Sequence, residues 1–160
     1  QRQMCIRDRY ATSDTFNVVA AGGTIENSGL SAVTLLGPDS IVSNNLMSYN
    51  GANGIFVSDD SNITDNIVQH TTGEGIHIDG SDCVVSGNNV SLSSTVGIII
   101  KSTADNCVVT SNRVKTSTGN GLEIETGATD NIVSSNNLKN NTGTNFVDNG
   151  TTTETLGNKV

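Results

Sequence analysis

Asparagine recurs along this chain at a nearly constant spacing. Each copy sits in the frame Φ-x-x-N-x-Φ, where Φ is mostly aliphatic, and the steps between copies are 22, 22, 24, 24 and 22 residues. The recurring residues are Asn44, Asn66, Asn88, Asn112, Asn136 and Asn158. A fixed period in this range is typical of a solenoid, in which each repeat forms one coil stacked on the previous coil.

A second frame, G-Φ-x-Φ, accompanies the first. Its clearest copies are residues 54–57, 75–78, 97–100 and 121–124, with an earlier variant at 32–35 and a degraded one at 145–147. Because alternate residues of a strand face opposite sides, Ile55 and Val57 should point inward, and Phe56 and Ser58 outward. Together the frames predict an all-β parallel β-helix of about six coils, each of 22–24 residues with three short strands.

Composition is consistent with one elongated domain. Aromatic residues make up only 3% of the 160 residues, which a core of stacked Ile, Val and Leu tolerates. Residues 1–9 share nothing with the repeats, so we expect them to be a non-native leader. Residues 10–160 should then form a single β-helix domain that is truncated at both ends, because another Asn frame is only beginning at Val160.

Charge and hydropathy exclude several classes of partner. The net charge is −8, and residues 1–9 hold three Arg and one Asp, so without them 5 basic and 15 acidic residues give −10. Such a surface repels nucleic acid and anionic membranes, and also acidic polysaccharides unless cations bridge the two. No window approaches the roughly 20 apolar residues of a membrane span. We therefore expect neither nucleic-acid binding nor membrane insertion.

The pair of motifs V-x-x-N-x-V and G-I-x-I, as in residues 85–90 and 97–100, resembles the right-handed parallel β-helix of the pectate-lyase-like superfamily. The generic repeats of NosD-like proteins are the most similar. The resemblance covers about residues 17–160. It implies a right-handed solenoid in an extracellular or cell-surface protein, but no single activity, because this scaffold hosts lyases, hydrolases, adhesins and non-enzymes.

The recurring asparagines are interpreted as a structural ladder. Stacked amides can hydrogen-bond along the axis, and Asn tolerates the left-handed backbone of a sharp bend. The recurring glycines of the second frame are interpreted as bends as well. A further column comprises Asp60, Asp82, Asn106 and Asp130. Capping of Asx turns is its favoured role, and Ca²⁺ binding is the alternative.

In polysaccharide-active members of the superfamily, the active groove lies over the outer face of the sheet that the G-Φ-x-Φ strand resembles. The outward residues of that strand form two columns: Phe56, His77, Ile99 and Glu123, and beside them Ser58, Asp79, Lys101 and Glu125. The candidate catalytic patch therefore consists of His77, Asp79, Lys101, Glu123 and Glu125.

This patch has three interpretations. Glu123 and Glu125 should lie roughly 6–7 Å apart, near the roughly 6.5–9.5 Å of an inverting glycosidase pair. Asp79, Glu123 and Glu125 could instead bind Ca²⁺. The favoured interpretation is a solvated charge ladder, because Asp79, Lys101 and Glu125 alternate in sign. The motifs of polygalacturonases and the Arg base of pectate lyases have no match on this face, so no catalytic set is assigned.

Two cysteines fall in the same phase of adjacent repeats. Cys83 and Cys107 should stack facing inward as buried reduced thiols. A disulfide is the alternative, because their Cα atoms should lie about 5 Å apart. Met and His are too few to build a soft-metal site such as copper requires. No cofactor is expected, apart from the Ca²⁺ alternative.

The sequence thus favours a non-catalytic repeat module of a larger extracellular or cell-surface protein, which presents a flat surface to carbohydrate. The alternative is a polysaccharide lyase or glycoside hydrolase with its groove over the G-Φ-x-Φ sheet. No capping helix is visible, so strand edges and apolar core should be exposed at both ends of the rod. End-to-end self-association of the fragment is therefore expected.

Overall fold

The computed structural model describes the backbone of residues 9–11 and all of residues 18–160. Within these ranges the chain forms 20 short strands in three parallel sheets, which stack as a β-solenoid of about six turns. The predicted all-β parallel β-helix is confirmed. Residues 1–8, most of the segment expected to be a leader, lie outside the described ranges. Arg9, the last residue of that segment, begins the first strand.

Each coil passes through sheets A, B and C in that order. Sheet A consists of β1 (Arg9–Ala11), β4 (Val33–Leu35), β7 (Ile55–Val57), β10 (Ile76–Ile78), β13 (Ile98–Ile100), β16 (Leu122–Ile124) and β19 (Phe146–Asp148). Sheet B consists of β2 (Val19–Ala21), β5 (Ile41–Ser43), β8 (Asn62–Thr64), β11 (Val84–Ser86), β14 (Val108–Thr110), β17 (Ile132–Ser134) and β20 (Glu154–Leu156). Sheet C consists of β3 (Thr24–Glu26), β6 (Leu46–Asn50), β9 (Ile67–Thr71), β12 (Asn89–Ser91), β15 (Arg113–Lys115) and β18 (Asn137–Lys139).

The three sheets contribute unequally to the core. A central sheet A strand such as β10 directs two residues inward, Ile76 and Ile78, and one outward, His77. Most strands of sheets B and C do the reverse and direct only their middle residue inward, as Val85 and Val90 show. Sheets B and C therefore present two outward side chains per coil, and sheet A presents one from each strand and another from the residue after it.

The first Asn frame is shifted by one residue from the prediction. Val42, not Ile41, pairs with Ile63 and is buried, and Ile41 is 40% exposed. Asn45, not Asn44, therefore takes the position of the recurring Asn. Apolar residues flank both asparagines, so either register would bury aliphatic side chains, and the frame alone did not distinguish them.

Bends between the sheets are made by residues with left-handed backbone. One column precedes sheet B: Asp39, Asp60, Asp82, Asn106, Asp130 and Thr152. A second separates sheets B and C: Gly22, Asn44, Asp65, Gly87, Ser111, Ser135 and Gly157. A third lies at the C-terminal ends of the sheet C strands, inside β6 and β9 and directly after the others: Asn27, Tyr49, His70, Leu92, Thr116 and Asn140. The ladder asparagines are thus not the left-handed residues; at the bend between sheets B and C the residue before each one is.

The recurring glycines of the G-Φ-x-Φ frame are not left-handed bends either. A Cβ on Gly75 would lie 2.5 Å from the backbone oxygen of Gly97 in the next coil and 2.3 Å from Cγ1 of Val90. The same overlap recurs at Gly97, where a Cβ would lie 2.1 Å from Cγ1 of Val114. Glycine is required here because successive coils approach too closely for a side chain.

Candidate functional site

The outer face of sheet A carries the predicted patch, and the register places its columns as expected. Phe56, His77, Ile99 and Glu123 pair in successive coils. The imidazole of His77 stacks on Phe56 with ring centroids 4.6 Å apart. Its Nδ1 also lies 3.7 Å from Oε2 of Glu74, and the His77 side chain lowers the pKa of Glu74 against the opposing effect of burial.

The neighbouring column contains an ion pair. The ammonium of Lys101 contacts Oε1 of Glu125 in the next coil, and the backbone N–H of Ser102 donates to Oε2 of that carboxylate at 3.2 Å. The hydrogen bond and charge of Lys101 lower the pKa of Glu125. Asp79 is held separately, because the Thr103 hydroxyl donates to its Oδ1 at 3.0 Å and to its backbone oxygen at 2.9 Å.

Glu123, the second half of the proposed carboxylate pair, is also occupied. Asn120 Nδ2 donates to its Oε2 at 2.9 Å. Ile99, predicted to face outward, is only 5% exposed. The four acidic side chains of this face, at positions 74, 79, 123 and 125, therefore each have a partner within the protein.

The pKa values of Glu74 and Glu125 are both lowered by their cationic or imidazole partners, which favours the ionised form of each carboxyl group. Within the described ranges, no three His, Cys, Asp or Glu side chains are placed to hold a metal ion. The Ca²⁺ alternative for Asp79, Glu123 and Glu125, and for the acidic turn column, stays a prediction.

The turn column also differs from the Asx-turn interpretation. Its side chains bond between coils: Asn106 Nδ2 donates to the Asp82 carboxylate, and the Thr152 hydroxyl donates to that of Asp130. The adjacent Asp59 accepts from the N–H of Ser81 in the next coil at 2.8 Å. Acidic residues at this bend therefore tie neighbouring coils together while they hold the left-handed backbone.

The ladder asparagines form one continuous file at the bend between sheets B and C. Asn66 donates its backbone N–H and its Nδ2 to Oδ1 of Asn88, at 2.9 and 3.0 Å. The same Nδ2 donates to the backbone oxygen of Val42 in the preceding coil at 2.8 Å. Equivalent bonds extend the file from Asn45 through Asn66, Asn88, Asn112 and Asn136 to Asn158. Asn44, predicted as its first member, lies outside it.

Cys83 and Cys107 occupy equivalent inward positions in adjacent coils, and both thiols are free and fully buried. The Cys83 thiol donates to the backbone oxygen of Ser58 at 3.0 Å, and that of Cys107 to Gly80 at 3.3 Å. Contact with Cys107 and burial raise the pKa of Cys83. The pair therefore packs as small, weakly polar core residues.

A second charged face was missed by the sequence analysis. Sheet C presents Arg113, Lys115, Lys139 and Lys159 on the outside of its last three coils, and we refer to these residues as the basic face. They are four of the five Lys and Arg in residues 18–160. The sequence did contain the pattern, because each lies one or three residues after a ladder asparagine.

A second aromatic–imidazole stack lies at the bend formed by the C-terminal ends of β6 and β9 in sheet C. Tyr49 and His70 lie in adjacent coils with ring centroids 4.5 Å apart and planes within 7°. Tyr49 is 58% exposed, and both residues have left-handed backbone. The two repeat frames did not indicate this stack, because both residues lie outside them.

Comparisons with known proteins agree with this architecture. Residues 6–159 match the family described as "Periplasmic copper-binding protein (NosD)". No significant match was found among curated proteins.

Two solved structures of variants of the periplasmic alginate epimerase AlgG are similar. One is 12% identical with a TM-score of 0.56, over 94% of this chain and 57% of that one. The other is 11% identical with a TM-score of 0.50, over 94% and 49%. The chain thus spans about half the length of these structures. At this identity the likeness shows the fold alone.

Proposed function

The chain belongs to the NosD family, and on that premise we propose that it is a non-catalytic repeat module of a periplasmic or cell-surface protein, which presents the outer face of sheet A to carbohydrate. One observation supports the absence of catalysis above the others: the acidic side chains of this face are engaged with partners. Lys101 neutralises Glu125, Asn120 holds Glu123, and Thr103 holds Asp79. A carboxylate in such a bond is a poor general acid.

Carbohydrate suits the same face for a geometric reason. Polar outward side chains recur along the axis in step with coils that are about 4.8 Å apart, and the Phe56–His77 stack lies on the same face. An extended polymer of hydroxyl-bearing rings can meet such a row at several points, and each contact can be weak because contacts along one chain reinforce each other.

Copper, which the family's name mentions, does not fit the described residues. His70 and His77 lie on different faces, each against an aromatic ring. Met47 is fully buried, and the thiols of Cys83 and Cys107 are enclosed and bonded to carbonyl oxygens. A copper site needs several imidazole or sulfur ligands converging on one point. The proposed function therefore includes no copper.

The test combines binding and product formation with neutral polysaccharides such as xylan and β-glucan. We expect the chain to be retarded in gels that contain a recognised polysaccharide, without release of reducing ends or unsaturated products. Phe56→Ala should abolish the retardation. Tyr49→Ala is the matched control, because it removes an equivalent aromatic–imidazole stack from a different bend, and it should bind normally.

Two results would overturn the proposal. Equal loss of retardation in both variants would show that sheet A is not the binding face. Product formation that disappears in Glu123→Gln/Glu125→Gln would establish the alternative, a hydrolase or lyase with its groove over sheet A.

A further inference from the structure

We propose that the basic face of sheet C is a binding site for a linear acidic polysaccharide, distinct from the sheet A face and independent of its function. The site consists of Arg113, Lys115, Lys139 and Lys159, and its ligand class is a polymer of uronic acid residues. The carboxylates of the polymer would pair with the cations, and its axis would follow the stack of coils.

The four cations form a compact array on a rigid support. Arg113 and Lys115 are two residues apart on β15, so their side chains leave the same side of the sheet. Lys115 pairs directly with Lys139 in the next coil, and Asn137 lies between Arg113 and Lys159 in the neighbouring column. With coils about 4.8 Å apart, the positive charges span about 10 Å along the axis.

No structural role accounts for this clustering. Like charges directly opposite each other in a sheet are destabilising, yet Lys115 and Lys139 are cross-strand neighbours. Acidic residues outnumber basic residues 16 to 8 in the chain, so a shortage of carboxylates does not explain why these four cations lack ion pairs. Within residues 18–160, the ion pairs involve His77 with Glu74 and Lys101 with Glu125, and none involves the basic face.

The acidic residues lie elsewhere on the solenoid. Glu26 is the single acidic residue among the described outward positions of sheet C; it lies in the first coil, where its carboxylate accepts a hydrogen bond from Ser48. Aspartates concentrate at the bend between sheets A and B, at positions 39, 59, 60, 82, 105 and 130. The charge is therefore unevenly distributed. The bend between sheets A and B is acidic, and the outer face of sheet C carries a local positive strip.

The shape of the strip favours an extended polymer as its occupant. A strip that is two residues wide can contact one narrow chain along its length. A planar anionic membrane would also approach the acidic parts of the solenoid and be repelled by them. The expectation that acidic polysaccharides need bridging cations assumed uniformly distributed charge, and it does not apply to this face.

The decisive experiment measures binding of polygalacturonate oligomers in the presence of a chelator, which removes bridging cations. We expect binding at low ionic strength that weakens steeply with salt, because it depends on charge pairing. Fully methyl-esterified oligomers, which have the same backbone without the charge, should not bind. Lys115→Gln/Lys139→Gln should lower the affinity about tenfold or more.

Single variants provide a matched control. Lys139→Gln and Lys101→Gln remove the same charge from the protein, but only Lys139 belongs to the basic face. Lys139→Gln should weaken binding several-fold, and Lys101→Gln should leave it within about twofold. Circular dichroism and thermal melting of each variant would establish that the fold is kept.

Three results would overturn the inference: no binding of polygalacturonate, equal loss in Lys139→Gln and Lys101→Gln, or equal binding of the esterified oligomer. Vesicles that contain phosphatidylglycerol test the competing occupant, and binding to vesicles but not to polygalacturonate would also overturn it. The sheet A proposal is tested with neutral polysaccharides and with Phe56→Ala, so the two can fail separately.

Discussion

The outer faces of sheets A and C are built on the same coils, yet they treat charge in opposite ways. On sheet A, Lys101 lies opposite Glu125 and pairs with it. On sheet C, Lys115 lies opposite Lys139, and no carboxylate in the described ranges pairs with either. Opposite charges in register contribute to the stack, whereas like charges in register oppose it. The contrast separates a face whose charges serve the fold from a face whose charges require an external partner.

The outer faces of sheets A and C are supported by the same rigid interior, which includes the asparagine file. Disrupting this file should therefore have the largest effect on stability. Asn88→Ala should lower the free energy of unfolding by about 3 kcal/mol, because it leaves buried donors and acceptors of two neighbouring coils unpaired. Chemical denaturation would measure the loss. Asn44→Ala, outside the file, should cost only about 1 kcal/mol through its left-handed backbone. Equal losses would contradict the corrected register.

Association through the ends of the rod would complicate measurements on either face. At the C-terminal end of the described chain, Leu156 is 78% exposed and Val160 66% exposed. We expect the isolated chain to self-associate there, and Leu156→Lys/Val160→Lys to weaken association about tenfold by charge repulsion and loss of apolar contact. Sedimentation velocity would measure it. A monodisperse unmodified chain at high concentration would argue against this, and Lys139→Gln should leave association unchanged.

Removing one lysine from each face should change stability in opposite directions. Lys101→Gln should lower the free energy of unfolding by about 0.5 kcal/mol, because it breaks a partly exposed ion pair. Lys139→Gln should raise it by about 0.3 kcal/mol, because it relieves repulsion from Lys115. Both changes should shrink in about 1 M salt, where the screening length falls to about 3 Å. If both variants shifted stability in the same direction, the contrast between the faces would fail.

The smallest expected effect is a pH dependence confined to sheet A. The Lys101 ammonium lowers the pKa of Glu125 in the folded chain. The folded state therefore binds fewer protons than the unfolded state, and the pair stabilises above the ordinary Glu pKa of about 4.3 and less as pH falls through the lowered value. The stability difference between the unmodified chain and Lys101→Gln should thus shrink as the pH falls from the ordinary Glu pKa through the lowered pKa of Glu125. The Lys139→Gln difference, which involves no carboxylate, should keep its sign.

The candidate patch could be located from the sequence but not interpreted from it. Periodicity placed His77, Lys101 and Glu125 correctly on the outside of sheet A. It could not show that Asn120 reaches Glu123 or that Thr103 reaches Asp79, because those partners lie in turns outside the repeating frame. The same periodicity could have predicted the basic face. It was not predicted because the negative charge was assumed to be distributed evenly over the surface.

The sequence by itself determined the architecture. The constant spacing of Asn, together with the G-Φ-x-Φ frame, predicts that like positions stack, so coil number, strand count and the inward residues of sheet A follow from counting. Tertiary structure alone decided the choice between Asn44 and Asn45, the role of the glycines in the close approach of coils, and the pairing of charges on each face. Each of these depends on contacts between one coil and the next. The order of residues within a coil does not specify the distances between side chains of different coils.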